Sequence, residues 1–392
     1  MVFYGHPTTR AAYYGTKMAK PHWKLAVIRQ RYTAFGGAER FLQRAMTSLQ
    51  ESQGVDITML SRRWPDAQQS VEINPRYFGR LGRDRGFARA VCDYLEEHPY
   101  DLVQSHERLP CCDLYRAGDG LHRVWLAERA RELGWRAKLA HAMPYHHDVL
   151  RAEEALFRSP RLKAVICNSK MVQRELIEQF NFAHEKSHVI YSGVDQDHFN
   201  PGLKASRSQL RQQWEIPQQA PLFLFVGSGF ERKGVGRTLA AMAKMSQPAY
   251  LLIVGKDKRQ RIYERQAKQL GIAQRVRFCG PQQDVRPFYG AADALLLPTL
   301  YDPFPNVALE AMAAALPIIT SHKSGAQDLI VQGESGLVGD ALDQAFLTDA
   351  MEQLCDPQIC LDWGAAGREI IAPITLDAMA GRMVALYESL LP

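Results

Sequence analysis

Tyr301-Asp-Pro-Phe-Pro-Asn-Val-Ala-Leu-Glu310-Ala-Met-Ala-Ala-Ala-Leu-Pro317 reads as a loop that feeds a short helix. It follows Ala294-Leu-Leu-Leu297, an unbroken apolar run of the kind found in strands covered on both faces. Asn306 is expected as the N-cap and the helix over 307–316, with Pro317 ending it. Strand, loop and helix together make one step of a parallel sheet. The N–H groups of a first helical turn lack intrahelical partners and favour a negatively charged ligand. Glu310 stands one turn inside the helix, on the face of Asn306, and Asp302 lies eight positions earlier in the loop. A carboxylate at the first place can accept both hydroxyls of a ribose, and one at the second can reach a sugar.

Outward from this stretch the same step repeats. Upstream, strands are expected at Leu222-Phe-Leu-Phe-Val226, Tyr250-Leu-Leu-Ile-Val254 and Val276-Arg-Phe278, and downstream at Pro317-Ile-Ile-Thr320. An earlier series runs through Leu25-Ala-Val-Ile28, Val55 to Leu60, Asp101 to Gln104, Ala164 to Cys167 and Val189 to Tyr191, with a helix expected over 38–50. The polar segment 200–221, with Pro201, Gly202, Pro217 and Pro221, reads as the linker. The expected plan is an N-terminal extension over 1–22 without order, a first α/β domain over 23–199, and a second over 200–373. A last helix, about 374–392, returns to the first domain. Ligands of open parallel sheets sit at the carboxyl ends of the strands, so the loops there are where chemistry is sought.

The 392 residues are 46% hydrophobic and 23% charged, which excludes a disordered or fibrous chain, and suit two domains. A net charge of +6 is too thin a basic field to indicate nucleic acid, but fits an acidic substrate or an anionic membrane surface. The seven cysteines show no CxxC or Cys/His ligand spacing. Neither a disulfide framework nor a zinc site is expected, and a reducing compartment fits. No run of about 18 apolar residues occurs that would span a bilayer.

Four loops carry candidate chemistry. Gly36-Gly37 follows the first strand and lets an anion approach a helix start. Gly227-Ser-Gly-Phe-Glu-Arg-Lys-Gly234 follows an apolar strand, and its glycines and the adjacent Arg232 and Lys233 suit a diphosphate. His106, and Asp119 within Gly118-Asp-Gly120, occupy loops that can face a cleft near the sugars. Asp195-Gln-Asp197 has the form of a metal-binding DxD but reads as a turn, and His141, His146, His147 and Asp148 read as a polar helix start. A helix over 121–140 carries Arg123, Arg129, Arg131, Arg136 and Lys138 beside Trp125 and Trp135. It reads as either a domain-surface helix or an anionic-membrane face.

On Asp302 to Glu310 and the Ala-rich helix that follows, the chain resembles the retaining family-4 glycosyltransferases, which carry two acids separated by seven residues at this place. Here the first acid is Asp, where the family usually has Glu, and Phe304-Pro-Asn306 replaces the commoner Phe-Gly-Leu. The likeness extends from about residue 23 over Gly36-Gly37, Asn168-Ser169, Gly193-Val-Asp195, Phe199-Asn-Pro201, Arg232-Lys233 and Val276 to Gly280. Within the family it is most similar to lipopolysaccharide core glycosyltransferases of the glucosyltransferase I group. The resemblance implies a GT-B fold, two Rossmann-like domains facing across a cleft, and hexose transfer with retention, needing neither metal nor cofactor. The donor would be a nucleotide diphosphate sugar, UDP-glucose by this likeness, and the acceptor a lipid-linked core oligosaccharide at the cytoplasmic face of the inner membrane. Lys233, Asp302, Asp119 and His106 would be the catalytic set. Gly37, Arg232, Lys233, Asp302, Phe304, Pro305, Asn306, Val307 and Glu310 would hold the donor, and Cys279 and Gly280 would flank the base. A nucleotide-sugar epimerase, a phosphorylase on the same plan, and a non-catalytic nucleotide- or glycan-binding protein are the alternatives.

Overall fold

The computed structural model describes residues 23–30, 55–63 and 70–391. The expected N-terminal extension, Gly36-Gly37 and the helix over 38–50 lie outside the described residues. Among the described residues two sheets form, and every strand pair in each is parallel. The first contains β1 (Trp23–Ile28), β2 (Val55–Ser61), β3 (Ser70–Glu72), β4 (Leu102–Ser105), β5 (Leu114–Arg116), β6 (Ala164–Cys167) and β7 (Ser187–Val189), in the order β3-β2-β1-β4-β5-β6-β7. The second contains β8 (Leu222–Val226), β9 (Tyr250–Val254), β10 (Val276–Gly280), β11 (Ala294–Leu297), β12 (Ile318–Ser321) and β13 (Gly336–Gly339), in the order β10-β9-β8-β11-β12-β13. Both are doubly wound, as the alternation of apolar runs and helices requires.

Every residue of β4, β6, β8, β11 and β12 is buried, because helices cover both faces. The last helix, Leu376–Leu390, packs on the first sheet. Thr375 caps it by accepting from the Ala378 N–H, and Met379, Met383, Leu386 and Tyr387 close over Leu25, Val27, Ile57 and Leu102. Burial of each such side chain is worth about 1.5–3 kcal/mol, so the chain end is held to the domain where it began.

Three local features go beyond or against expectation. The polar segment 200–221, expected as the linker, carries secondary structure of its own: it forms a 3-10 turn, Pro201–Ser206, and a helix, Arg207–Gln213. Fully buried Arg211 anchors that helix by pairing with Asp293 at 2.9 Å and donating to the carbonyls of Pro217, Gln218, Ala220 and Ala291. The helix over 121–140 is broken. It runs His122–Leu133, stops at Gly134 (φ 55°), and resumes over Ala137–His141. Cys92 and Cys111 are joined as a disulfide, their Cα atoms 5.8 Å apart across 19 positions of sequence. The pairing arises because the helix Gly79–Glu97 lies against the β4–β5 connection, a contact no local cysteine spacing encodes.

Candidate active site

In the second sheet the winding reverses between β8 and β11, so the crevice lies outside the carboxyl ends of those two strands. β8 leaves into Gly227-Ser-Gly229 and the single-turn helix Phe230–Lys233. β11 leaves into the loop that holds Asp302. Gly227 has φ 145°, and a Cβ there would sit 2.9 Å from Lys233 Cδ, so the side chain of Lys233 folds back over the bare glycine.

The two loops meet at Asp302. Its Oδ2 lies 3.1 Å from Lys233 Nζ and 3.4 Å from Arg232 Nη1, and the same Nη1 donates to the Tyr301 carbonyl at 2.6 Å. Asp302 and Lys233 are 7% and 9% exposed. Burial alone would raise the Asp302 carboxyl, but the Lys233 and Arg232 charges outweigh it and hold the group below the usual carboxylate range. Two cations against one carboxylate leave a surplus of positive charge at the head of the crevice, the polarity that receives an anion.

The helix after the loop is Asn306–Ala313. Pro305 (ψ 114°) occupies the cap position, so Asn306 is the first helical residue and not the expected N-cap. Proline already has the extended geometry a cap position needs, and the helix therefore begins one residue early. Glu310 Oε2 accepts from the Tyr289 hydroxyl at 2.7 Å. Burial first, then the Glu310 charge, pushes Tyr289 well above its ordinary range and keeps it a donor. Phe304 stacks obliquely on Tyr191, ring centroids 5.3 Å apart. Cys279 is buried, its thiol pushed up to about 12 by burial, whereas Gly280 beside it (φ 67°) has open space where a Cβ would be.

In the first sheet the winding reverses between β1 and β4, and His106 sits just after β4. It is 7% exposed, with its Nε2 3.1 Å from Gln104 Nε2. Asp119 is exposed on the tight turn 117–120, whose Gly120 N–H donates to the Ala117 carbonyl. Asp195 accepts from the His198 backbone and faces the His198 ring at 2.9 Å, in the expected turn. His146, in the first turn of the helix Pro144–Phe157, faces the His122 ring nitrogen at 3.0 Å. Among the described residues no group of three His, Cys, Asp or Glu is arranged to hold a metal ion, and no helix is long and apolar enough to cross a membrane.

The two domains touch through groups to which sequence reading gave no interdomain role. Helix His122–Leu133 pairs with the second domain: Arg131 with Asp340, Glu132 with Arg237, Arg129 with Glu231 and Glu128 with Lys323. Most of its charge therefore faces protein, while Trp135 (75% exposed) and Met143 (56%) beyond its end face solvent. Tyr301 donates to Glu175 at 2.9 Å and accepts from the Leu121 N–H at 2.9 Å. Lys323 also reaches Glu175 at 2.9 Å. Tyr289 likewise went unnoticed. Tyr289, Glu175 and Tyr301 meet their partners across long stretches of chain, and no periodic or motif signal links residues so far apart.

Two family models match in tandem: Glycosyltransferase Family 4 over residues 35–198 and Glycosyl transferases group 1 over 206–370. The lipopolysaccharide glucosyltransferase WaaG of Escherichia coli K12 is 27% identical over 86% of this chain and 91% of its own. The lipopolysaccharide core biosynthesis glycosyltransferase LpsE of Rhizobium meliloti is 33% identical over 37% of this chain and 42% of its own. Among solved structures, WaaG superposes with a TM-score of 0.78 at 24% identity, covering 92% of this chain and 99% of that one. HepE of Anabaena, solved with UDP-glucose, superposes at 0.71 and 19% identity, covering 94% and 100%. The doubly wound pair of sheets, the cationic crevice at the second switch point and these tandem matches have one reading: the chain belongs to the family-4 glycosyltransferases of GT-B fold.

Proposed function

We propose that this glycosyltransferase moves a hexose, glucose, from UDP-glucose to a lipopolysaccharide-core acceptor with retention of anomeric configuration and without a metal ion. The observation that carries the reading is the convergence of Arg232 and Lys233 on Asp302 at the β8/β11 switch point. Arg232 and Lys233 receive the diphosphate. They stabilise it more as the bond from its oxygen to the anomeric carbon breaks and charge builds there. Glu310, steadied by Tyr289, takes the ribose hydroxyls, and Gly280 and Cys279 flank the base. Asp302 and the backbone of Phe304, Pro305, Asn306 and Val307 orient the sugar. Asp119 and His106 serve the first-domain side of the cleft, and the acceptor hydroxyl oxygen forms the new bond on the face the leaving group departs, its proton passing to the departing diphosphate oxygen. Similarity to WaaG and LpsE supports the acceptor class, and the HepE complex supports UDP-glucose.

A lipid-linked acceptor implies work at the inner face of the inner membrane. With helix His122–Leu133 committed to the second domain, the membrane-facing groups are Trp135, Arg136, Lys138 and Met143. The test is incubation of the purified enzyme with a panel of radiolabelled nucleotide sugars and cell-envelope lipid extract. Label from UDP-glucose should enter the lipid fraction, and Lys233→Ala should abolish the transfer. Label from no donor, or transfer unchanged in Lys233→Ala, overturns the reading.

A further inference from the structure

One helix of the first domain holds both neighbours of Asp302. The helix is Lys170–Phe180. From its cap, Ser169 Oγ donates to the Pro303 carbonyl at 2.8 Å while accepting from the Val172 N–H at 3.1 Å. From its second turn, Glu175 Oε2 accepts from the Tyr301 hydroxyl at 2.9 Å. The residues before and after Asp302 are thus tied across the domain interface to points just under two turns apart on a single rigid element.

The far side of the loop is tied to the same carboxylate. Asp302 donates its N–H to the Lys323 carbonyl at 2.8 Å, and its own carbonyl accepts from the Gly325 N–H at 2.8 Å. Lys323 then extends its ammonium to Glu175 Oε1 at 2.9 Å. Each Glu175 oxygen therefore serves one strand of the Asp302 loop. Glu175 and Tyr301 are 4% and 2% exposed, so the bonds exist only with the domains in contact. Gly120 confirms the tightness of the fit: a Cβ there would overlap the Tyr301 hydroxyl.

We propose that Ser169 and Glu175 are positioning residues that orient the Asp302 loop toward the sugar when the two domains close, leaving the Asp302–Lys233 contact in place, so that sugar transfer, but not nucleotide binding, depends on the interface. The inference rests on the functional reading above. Arg232, Lys233 and Glu310 all belong to the second domain and bind nucleotide whether or not the cleft is closed. Asp302 belongs to the same domain, its own backbone held there by Lys323 and Gly325, while its neighbours Tyr301 and Pro303 are held from the first domain. Displacement of a reacting group by about 1 Å costs up to 100-fold in rate, and removing one of two ties permits movement of that order.

The test uses the full-length enzyme and the variants Tyr301→Phe, Ser169→Ala, Glu175→Gln and Glu175→Ala. UDP dissociation constants are taken by calorimetry and kcat at saturating UDP-glucose by label transfer. Tyr301→Phe and Ser169→Ala should lower kcat about tenfold or more, with UDP affinity within twofold of wild type and the thermal midpoint little changed. Glu175→Gln keeps an acceptor for Tyr301 and should retain more kcat than Glu175→Ala. Should the Glu175 variants unfold, Tyr301→Phe and Ser169→Ala still decide the matter. Wild-type kcat in both of these, or a loss of UDP affinity matching the loss of kcat, overturns the proposal. A wild-type enzyme that binds no UDP and transfers no sugar overturns the functional reading instead, and this proposal with it.

Discussion

Lys233 Nζ stands 3.1 Å from Asp302 Oδ2, at the point where the loops after β8 and β11 touch. A diphosphate entering the crevice competes with Asp302 for that ammonium, so the two residues have opposite effects on nucleotide and the same effect on transfer. Asp302→Asn should tighten UDP binding roughly threefold to tenfold, the size of one screened charge interaction, while transfer falls. Lys233→Ala should weaken UDP and lower transfer by about 100-fold or more. Calorimetry with UDP beside label-transfer rates checks both, and UDP binding weakened in Asp302→Asn would rule out competition for Lys233.

Gly227 offers a test that leaves every charged group in place. At φ 145° a side chain is strained, and its Cβ would press on the Lys233 stem at 2.9 Å. Gly227→Ala should therefore lower UDP affinity in the manner of Lys233→Ala, with a stability cost of about 1 kcal/mol or more. Titration with UDP and a thermal melt separate the two effects. Wild-type UDP affinity in the variant would mean that Lys233 does not need the bare glycine beneath it.

How far such features could be read in advance depended on whether their cause was local. The strands Ala164–Cys167, Leu222–Val226, Tyr250–Val254 and Ala294–Leu297 match their apolar runs residue for residue, since a strand buried on both faces has to be continuous in apolar side chains. β3, β5 and β13 are three or four residues long and contain Ser, Glu, Arg or Gly, too little for any period to show. The loop with Arg232, Lys233 and Asp302 was legible because its residue types and its place after a strand occur together in sequence. The tie of Tyr301 to Glu175 joins residues 126 positions apart, and only the packed interface brings them together. Asn306 was misread as a cap because Pro305, which has no side-chain acceptor, fills that position by backbone geometry alone.

The Cys92–Cys111 bridge ties the helix Gly79–Glu97 to the connection that carries Leu109 and Cys112 into the first-domain core. Alkylation of the unfolded, unreduced chain should modify five cysteines and leave these two unmodified. Closing a loop of this length removes about 3 kcal/mol of unfolded-state entropy. Cys92→Ala should accordingly lower the thermal midpoint by several degrees and make it insensitive to reductant. Seven modified cysteines would show the pair reduced in the isolated protein.

His106 should give the first domain a pH dependence of its own. The Tyr387 hydroxyl donates to Gln104 Oε1, which turns the Gln104 amide N–H toward His106 Nε2 and makes that nitrogen an acceptor. A proton on Nε2 would set two donors face to face. Burial, followed by the charges of Arg116 and Arg29, also disfavours the imidazolium and holds the group well below 6.5. The unfolded chain therefore takes up a proton near pH 6.5 that the native state refuses. The stabilising contribution is complete above that value and is lost as pH falls toward the native one, by up to about 1.4 kcal/mol per pH unit. His106→Leu removes both the titrating group and the acceptor for the Gln104 N–H. The variant should be less stable than wild type at pH 8 by about 1 kcal/mol for the lost hydrogen bond, and the gap should narrow steadily from pH 6.5 to pH 5. Denaturant melts across that range measure it, and a gap that stays constant with pH would show that His106 is charged in the native state or that its protonation does not oppose folding.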